Sequence, residues 1–269
     1  MPALPPDRRD AHFLEDLYRE WNRRDLVHPD PLEFLYEYDD PRDREVVGLV
    51  AACLAYGGVK QILASVRAAL DPLGRSPSSF VTGSGRREIA SSLDGFRHRF
   101  TGGDDVAGLL HGAGRLIDRW GSLERAFREH VRPGQDSTVA ALCGFADELA
   151  DASARPGGNL LPKPERGSAC KRLHLFLRWM VRKDDVDPGV WTSLSPALLV
   201  VPLDVHMHRI ALDLGATARQ QAGIAAALET TAWFRLVSPD DPVKYDFALT
   251  RLGMRGEYPR RQGNRRNVC

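Results

Sequence analysis

PLDVHMHRIALDLG, residues 202–215, is the stretch on which the fold turns. Ile210, Ala211 and Leu214 recur at the spacing of one helical face, and Gly215 stands where a helix ends. A helix over 205–214 puts Asp204 at its N-cap. Three readings of the segment follow. Asp204 caps the helix and nothing more; or Asp204, His206 and His208 ligate a metal as D-x-H-x-H; or Asp204 is a carboxylate aimed at a reaction centre. The metal reading requires an extended segment, because alternate residues on a helix point ~200° apart. The helical spacing weighs against it, and the other two readings stay open on these residues alone.

Upstream, KRLHLFLRWMVR (171–182) carries a core stripe of Leu173, Phe176, Leu177, Met180 and Val181. Ser168 is the expected N-cap, which places Lys171 in the first turn. Lys171, Leu175, Arg178 and Arg182 lie on a different face. An amine must be neutral to attack as a nucleophile. A first-turn position beside Arg172 sets this one against the positive end of the helix macrodipole. A solvated surface lysine is the competing reading.

Working outward, helical periodicity dominates. Helices are expected over 11–23, from Pro41 to the Gly57-Gly58 stop, and over 59–70, 104–119, 122–131, 137–152, 168–182, 205–214, 218–229 and 240–253. Asp39-Asp40-Pro41 reads as an N-cap with proline in the first turn. Pro72, Gly74, Pro77 and the GSG at 83–85 mark a loop or turn region. Only the LLVVPL run is ambiguous between strand and helix. The Pro-, Gly- and Ser-rich 152–168 stretch is a linker or loop, and the arginine-rich 255–269 stretch is a tail without fixed structure. The fold class is therefore all-α, with a core over 41–254.

Composition is that of an ordinary water-soluble protein: 43% hydrophobic and 27% charged, with a net charge of +1. No apolar run reaches the ~18–20 residues of a membrane span. The N-terminus lacks the apolar stretch of a secretory signal, so a cytoplasmic location is expected. Cys53, Cys143, Cys170 and Cys269 are scattered and read as buried thiols, not as a metal or iron–sulfur site. Of the 37 basic residues only five are lysines, a bias that suits phosphate recognition by arginine and equally reflects a GC-rich genome.

PLDVHMHRIALDLG resembles the V-D-T-H-V-x-R-x-x-x-R-L-G string of the helix-hairpin-helix DNA glycosylases, with Asp204, His206 and Arg209 on the matching Asp, His and Arg. VVGLVAACLAYGGVKQILASVRAAL (46–70) is similar to the early core helix of that superfamily, and its AYGG turn (55–58) lies where relatives probe the DNA stack. DPVKYDFALTRLGM (241–254) is similar to the final superfamily helix. KRLHLFLRWMVR with PLDVHMHRI places the chain near a bacterial group that resembles the archaeal 8-oxoguanine DNA glycosylases. Those enzymes carry their lysine unusually far ahead of the aspartate, as Lys171 lies ahead of Asp204. The hairpin glycines G-[VI]-G are absent; TSLSPALLVVP stands in their place. The four-cysteine cluster of some relatives is absent too.

The resemblance implies two helical lobes around a cleft and a bifunctional glycosylase/lyase for an oxidised purine. Its partner would be damaged duplex DNA with a flipped base, acted on by a monomer with no cofactor, metal or membrane. Lys171 would be the nucleophile and Asp204 the catalytic carboxylate. Tyr56, His174, Trp179 and Trp191 are candidates for the base pocket, each with core packing as its competing reading. Lys244 and Asp246 are candidates to line the cleft. Lys60, Arg178, Arg182, Arg209 and the FRHRF segment (96–100) are candidates for phosphate, while His206 and His208 belong to the Asp204 string. The rival readings are a glycosidase for modified nucleosides or RNA on the same fold, a non-catalytic binder of distorted DNA, and a D-x-H-x-H metal hydrolase.

Overall fold

The computed structural model describes residues 5–153, 160–163 and 167–255, with the side chains of 254 and 255 excepted. The described chain is mostly helical. In order it forms α1 (Arg8–Trp21), α2 (Pro41–Cys53), α3 (Val59–Leu70), α4 (Pro77–Gly83), α5 (Arg86–Ser92), α6 (Gly103–Trp120) and α7 (Leu123–Arg128). There follow α8 (Val139–Ala152), α9 (Lys171–Val181), α10 (Val205–Leu214), α11 (Ile224–Val237) and α12 (Asp246–Arg255). Two-residue strands β1 (Arg97–His98) and β2 (Thr101–Gly102) pair as an antiparallel hairpin between α5 and α6.

The helix ends follow local chemistry. Asp40 caps α2 by accepting from the Arg42 N–H, with Pro41 in the first turn. Gly121 closes α6 at φ +89°, a left-handed conformation that costs glycine little. α2 is buried on nearly every side and packs against α4, α6, α7 and α9. Its fit to α9 is tight at Gly48, where a Cβ would stand 2.8 Å from Met180 Cε. α6 packs against α4, α5, α7 and α8, while α12 packs against α1 and α10.

Several expected elements change. Residues 77–83 form α4, because Pro77 stands in a first turn where it needs no N–H. The helix expected over 122–131 is shorter, α7. That expected over 218–229 is α11, shifted toward the C-terminus. Thr217 Oγ1 and Arg219 Nε donate to Glu229 and hold 217–222 as a turn in front of it. The helix expected from 240 begins at Asp246. Cys170, at φ +45°, and not Ser168, is the N-cap of α9; Ser168 Oγ instead accepts from the Cys170 N–H. The ambiguous LLVVPL run joins no sheet, and Val201 N–H donates to Thr231 Oγ1.

Of the expected 152–168 linker, 154–159 and 164–166 lie outside the described residues, as does the tail from 256 onward. Leu160 and Leu161 are buried, and Lys163 pairs with Asp147. No helix of the described residues is long and apolar enough to cross a membrane.

Candidate functional site at the α9 and α10 N-termini

Two helix starts meet here. Lys171 is the first residue of α9 and Asp204 is the N-cap of α10. Asp204 uses its oxygens differently. Oδ1 accepts from the His206 and Met207 N–H groups, both at 2.9 Å, while Oδ2 lies 3.8 Å from Lys171 Nζ. The capping reading and the reaction-centre reading of Asp204 are therefore compatible: one oxygen caps and the other faces the amine. At 3.8 Å the pair attracts as ions but is too long for a direct hydrogen bond. Both side chains are about one-third exposed, Lys171 30% and Asp204 29%, so each is open to a ligand.

Behind the pair lies a buried charge network. Arg178 donates through Nε and Nη2 to Asp187, and through Nη1 to Asp246 at 2.5 Å. Arg182 pairs with Asp184, Asp187 and Asp241. Burial raises the Asp246 carboxyl to about 6. Arg178 opposes this, the nearby Asp204 charge adds to it, and Lys171 opposes it. Arg178 is shared with Asp187, so its compensation of Asp246 is incomplete. Asp246 Oδ1 is buried and has no hydrogen-bond partner.

Arg178 and Arg182 are thus corrected from phosphate contacts to buried structural cations. The reason is the acidic turn after α9: DDVD (184–187) supplies two of their carboxylates, and 241 and 246 supply the others. An arginine pair four residues apart followed by that acidic run was the available signal. Trp179 and His174 are corrected in the same way, since both are buried in the body of α9. Both ring nitrogens of His174 lack partners, and burial pushes its pKa down to about 4. Trp191 is a core residue. Its ring packs on Phe127 and Phe176, and its Nε1 donates to Glu45 at 2.7 Å. Lys244 pairs with Glu15 at 2.8 Å and covers the Tyr18 ring, joining the turn before α12 to α1 instead of lining a cleft.

The remaining candidates stay near the surface. His206 and Arg209 are exposed on α10, and Lys60 is exposed on α3. His208 turns inward to the Arg219 carbonyl, 2.8 Å from its Nε2. Asp204, His206 and His208 do not converge, and the described residues hold no cluster of three or more His, Cys, Asp or Glu able to bind a metal. Tyr56 is half-buried beside the site. The Arg172 guanidinium sits 4.9 Å from its ring centroid and also donates to the Cys53 carbonyl at 2.8 Å. Arg172 therefore ties the start of α9 to the α2–α3 turn. Neither this contact nor the 97–102 hairpin was foreseen, because neither carries a periodic pattern.

An amine and a carboxylate set face to face, both reachable from solvent, can together attack an electrophilic carbon and take up the released proton. No curated protein and no solved structure matches the chain. Residues 30–255 match a family model described as protein of unknown function (DUF2400), and the chain belongs to that family.

Proposed function

We propose that this protein is a DNA glycosylase with lyase activity, acting on an oxidised purine such as 8-oxoguanine. The observation that carries the reading is the Lys171–Asp204 pair: 33 residues apart in sequence (204 minus 171), 3.8 Å apart in space, and open to solvent. The target nucleotide leaves the base stack. Once its ammonium proton has left to solvent, the Lys171 amine forms a bond to the sugar anomeric carbon as the glycosidic bond breaks, and the base departs with that electron pair. The nitrogen then carries a positive charge, and its proton passes to Asp204 Oδ2. Opening of the sugar ring yields a Schiff base. Loss of a C2′ proton then expels the 3′ phosphate and nicks the strand. Arg209 and Lys60, exposed and without ion pairs among the described residues, are suited to hold phosphate.

The test is borohydride trapping on duplexes containing a single 8-oxoguanine, uracil or abasic site. A covalent adduct that disappears in Lys171→Gln supports the reading. Absence of both adduct and base release on every duplex overturns it.

A further inference from the structure

The β1–β2 hairpin carries features unusual for a surface turn. Its base is buried: His98 and Thr101 are both inside. His98 Nδ1 bonds Ser65 Oγ at 2.9 Å and its Nε2 bonds the Tyr56 carbonyl at 3.0 Å. The Tyr56 hydroxyl donates to the His98 carbonyl and shares a 2.6 Å hydrogen bond with Thr101 Oγ1. The two tip residues are the opposite. Phe100 is 76% exposed, and Arg99 holds φ +53° without being glycine. Such a conformation persists only where the surroundings enforce it. Here Arg99 lies over Gly57, where a Cβ would stand 3.0 Å from Arg99 Cδ. A rigid base thus presents an exposed aromatic ring with the Arg99 guanidinium 5.7 Å from its centroid, and neither Arg97 nor Arg99 forms an ion pair among the described residues.

The tip is coupled to the lysine–aspartate pair. Thr101 touches Tyr56, Tyr56 carries Arg172, and Arg172 adjoins Lys171, which faces Asp204. The two most exposed large apolar side chains of the described residues border this line of contacts: Phe100 at one end, and Val205, 72% exposed, directly after Asp204 at the other. An aromatic ring with neighbouring guanidinium groups suits the faces of bases and the phosphates beside them.

We propose that the 97–102 hairpin is a wedge whose Phe100 ring inserts into the base stack of duplex DNA next to the nucleotide presented to Lys171, with Arg97 and Arg99 on the adjoining phosphates. This rests on the glycosylase reading for its partner. A flat ring fills the space a displaced base leaves, and the buried anchors keep it from folding away.

The experiment uses the full chain and a duplex with 2-aminopurine beside a tetrahydrofuran abasic analogue, read by fluorescence and anisotropy, with borohydride trapping on a natural abasic duplex in parallel. Wild type should raise the 2-aminopurine signal on binding. Phe100→Ala should abolish most of that rise and bind about tenfold more weakly, and Phe100→Trp should restore both. The exposure of Phe100 leaves folding intact, which circular dichroism checks. Unstacking and affinity unchanged in Phe100→Ala overturn the wedge, and adduct formation through Lys171 would still stand. Phe100-dependent unstacking without any adduct supports the wedge and overturns the lyase. Absence of both binding and adduct overturns both.

Discussion

Lys171 Nζ faces Asp204 Oδ2 at 3.8 Å while Asp204 Oδ1 caps α10, so one carboxylate makes two contacts that substitution can separate. Asn caps a helix about as well as Asp, whereas Ala costs about 0.5–2 kcal/mol at such a position. Asp204→Asn should therefore melt like wild type yet form the borohydride adduct roughly 10²–10⁴ times more slowly. Asp204→Ala should lose both rate and about 1 kcal/mol of stability. Urea unfolding beside single-turnover kinetics separates the two effects. Equal rates in wild type and Asp204→Asn would remove Asp204 from the chemistry.

Arginine on α9 and arginine on α10 should behave oppositely. Arg178 is buried between Asp187 and Asp246. Arg178→Ala strands the Asp246 carboxylate in the interior and leaves Asp187 with Arg182 alone, at a cost of about 3–5 kcal/mol. Loss of soluble protein or a large drop in urea midpoint is the expected result. Arg209 is exposed and forms no ion pair among the described residues. Arg209→Ala should keep its stability within about 0.5 kcal/mol, weaken duplex binding, and reduce the log–log salt slope by about 1. A salt slope that does not change would take Arg209 off the phosphate path.

Sequence patterns located elements wherever an end carried its own chemistry. Asp40-Pro41, the start of α3 at Val59 and the Asp204 to Gly215 span lie where the patterns place them, because caps and left-handed glycines act within a few residues, whereas α2 ends at Cys53, ahead of the Gly57-Gly58 stop expected for it. The α4 helix was hidden by Pro77, which reads equally as a breaker and as a first-turn residue. The start of α11 depends on Glu229 reaching back to Thr217 and Arg219, a contact that no local rule announces. Arg178 and Arg182 read as surface charges because, beside the nearby Asp184 and Asp187, the partners that complete their burial, Asp246 and Asp241, lie 68 and 59 residues away. Burial of a cation depends on where the distant carboxylates arrive. Lys171 and Asp204 were legible as separate residues from the resemblance; their mutual distance was not.

Close helix crossing offers a test of the packing itself. A Cβ on Gly114 would stand 2.1 Å from the Val81 carbonyl oxygen, so α4 and α6 touch backbone to backbone. Alanine favours a helix over glycine by about 1 kcal/mol, but the clash is with main chain that cannot rotate away. Gly114→Ala should be destabilised by about 1–3 kcal/mol net. Gly83, in the last turn of α4, has open space at its Cβ position. Gly83→Ala should be neutral or stabilised by up to about 1 kcal/mol. Paired urea melts of the two variants decide it; equal stabilities would mean that the helices do not cross this closely.

Glu45 sets a pH dependence whose sign follows from its burial. Its carboxyl accepts from the Leu123 and Glu124 N–H groups and from Trp191 Nε1. Burial nevertheless raises its pKa from 4.5 to about 7, because those donors only partly replace water. Between about 4.5 and 7 the folded chain retains a proton that the unfolded chain has released. Unfolding then releases protons, so stability falls as pH rises through this window. His174 works the other way. Burial lowers it from 6.5 to about 4, so the unfolded chain takes up a proton first and stability falls as pH drops from about 6.5 to 4. Asp246, raised to about 6, acts in the same direction as Glu45. The opposing contributions flatten the wild-type profile, and single variants expose them. Glu45→Gln cannot titrate. The stability of wild type relative to this variant should therefore decline between pH 5 and pH 7.5, by up to about 3 kcal/mol for a shift of this size. Relative to His174→Phe, wild type should instead gain stability from pH 4.5 to pH 7. Parallel profiles for wild type and Glu45→Gln would mean that the Glu45 carboxyl titrates alike in the folded and unfolded chain, and that its three donors fully offset its burial.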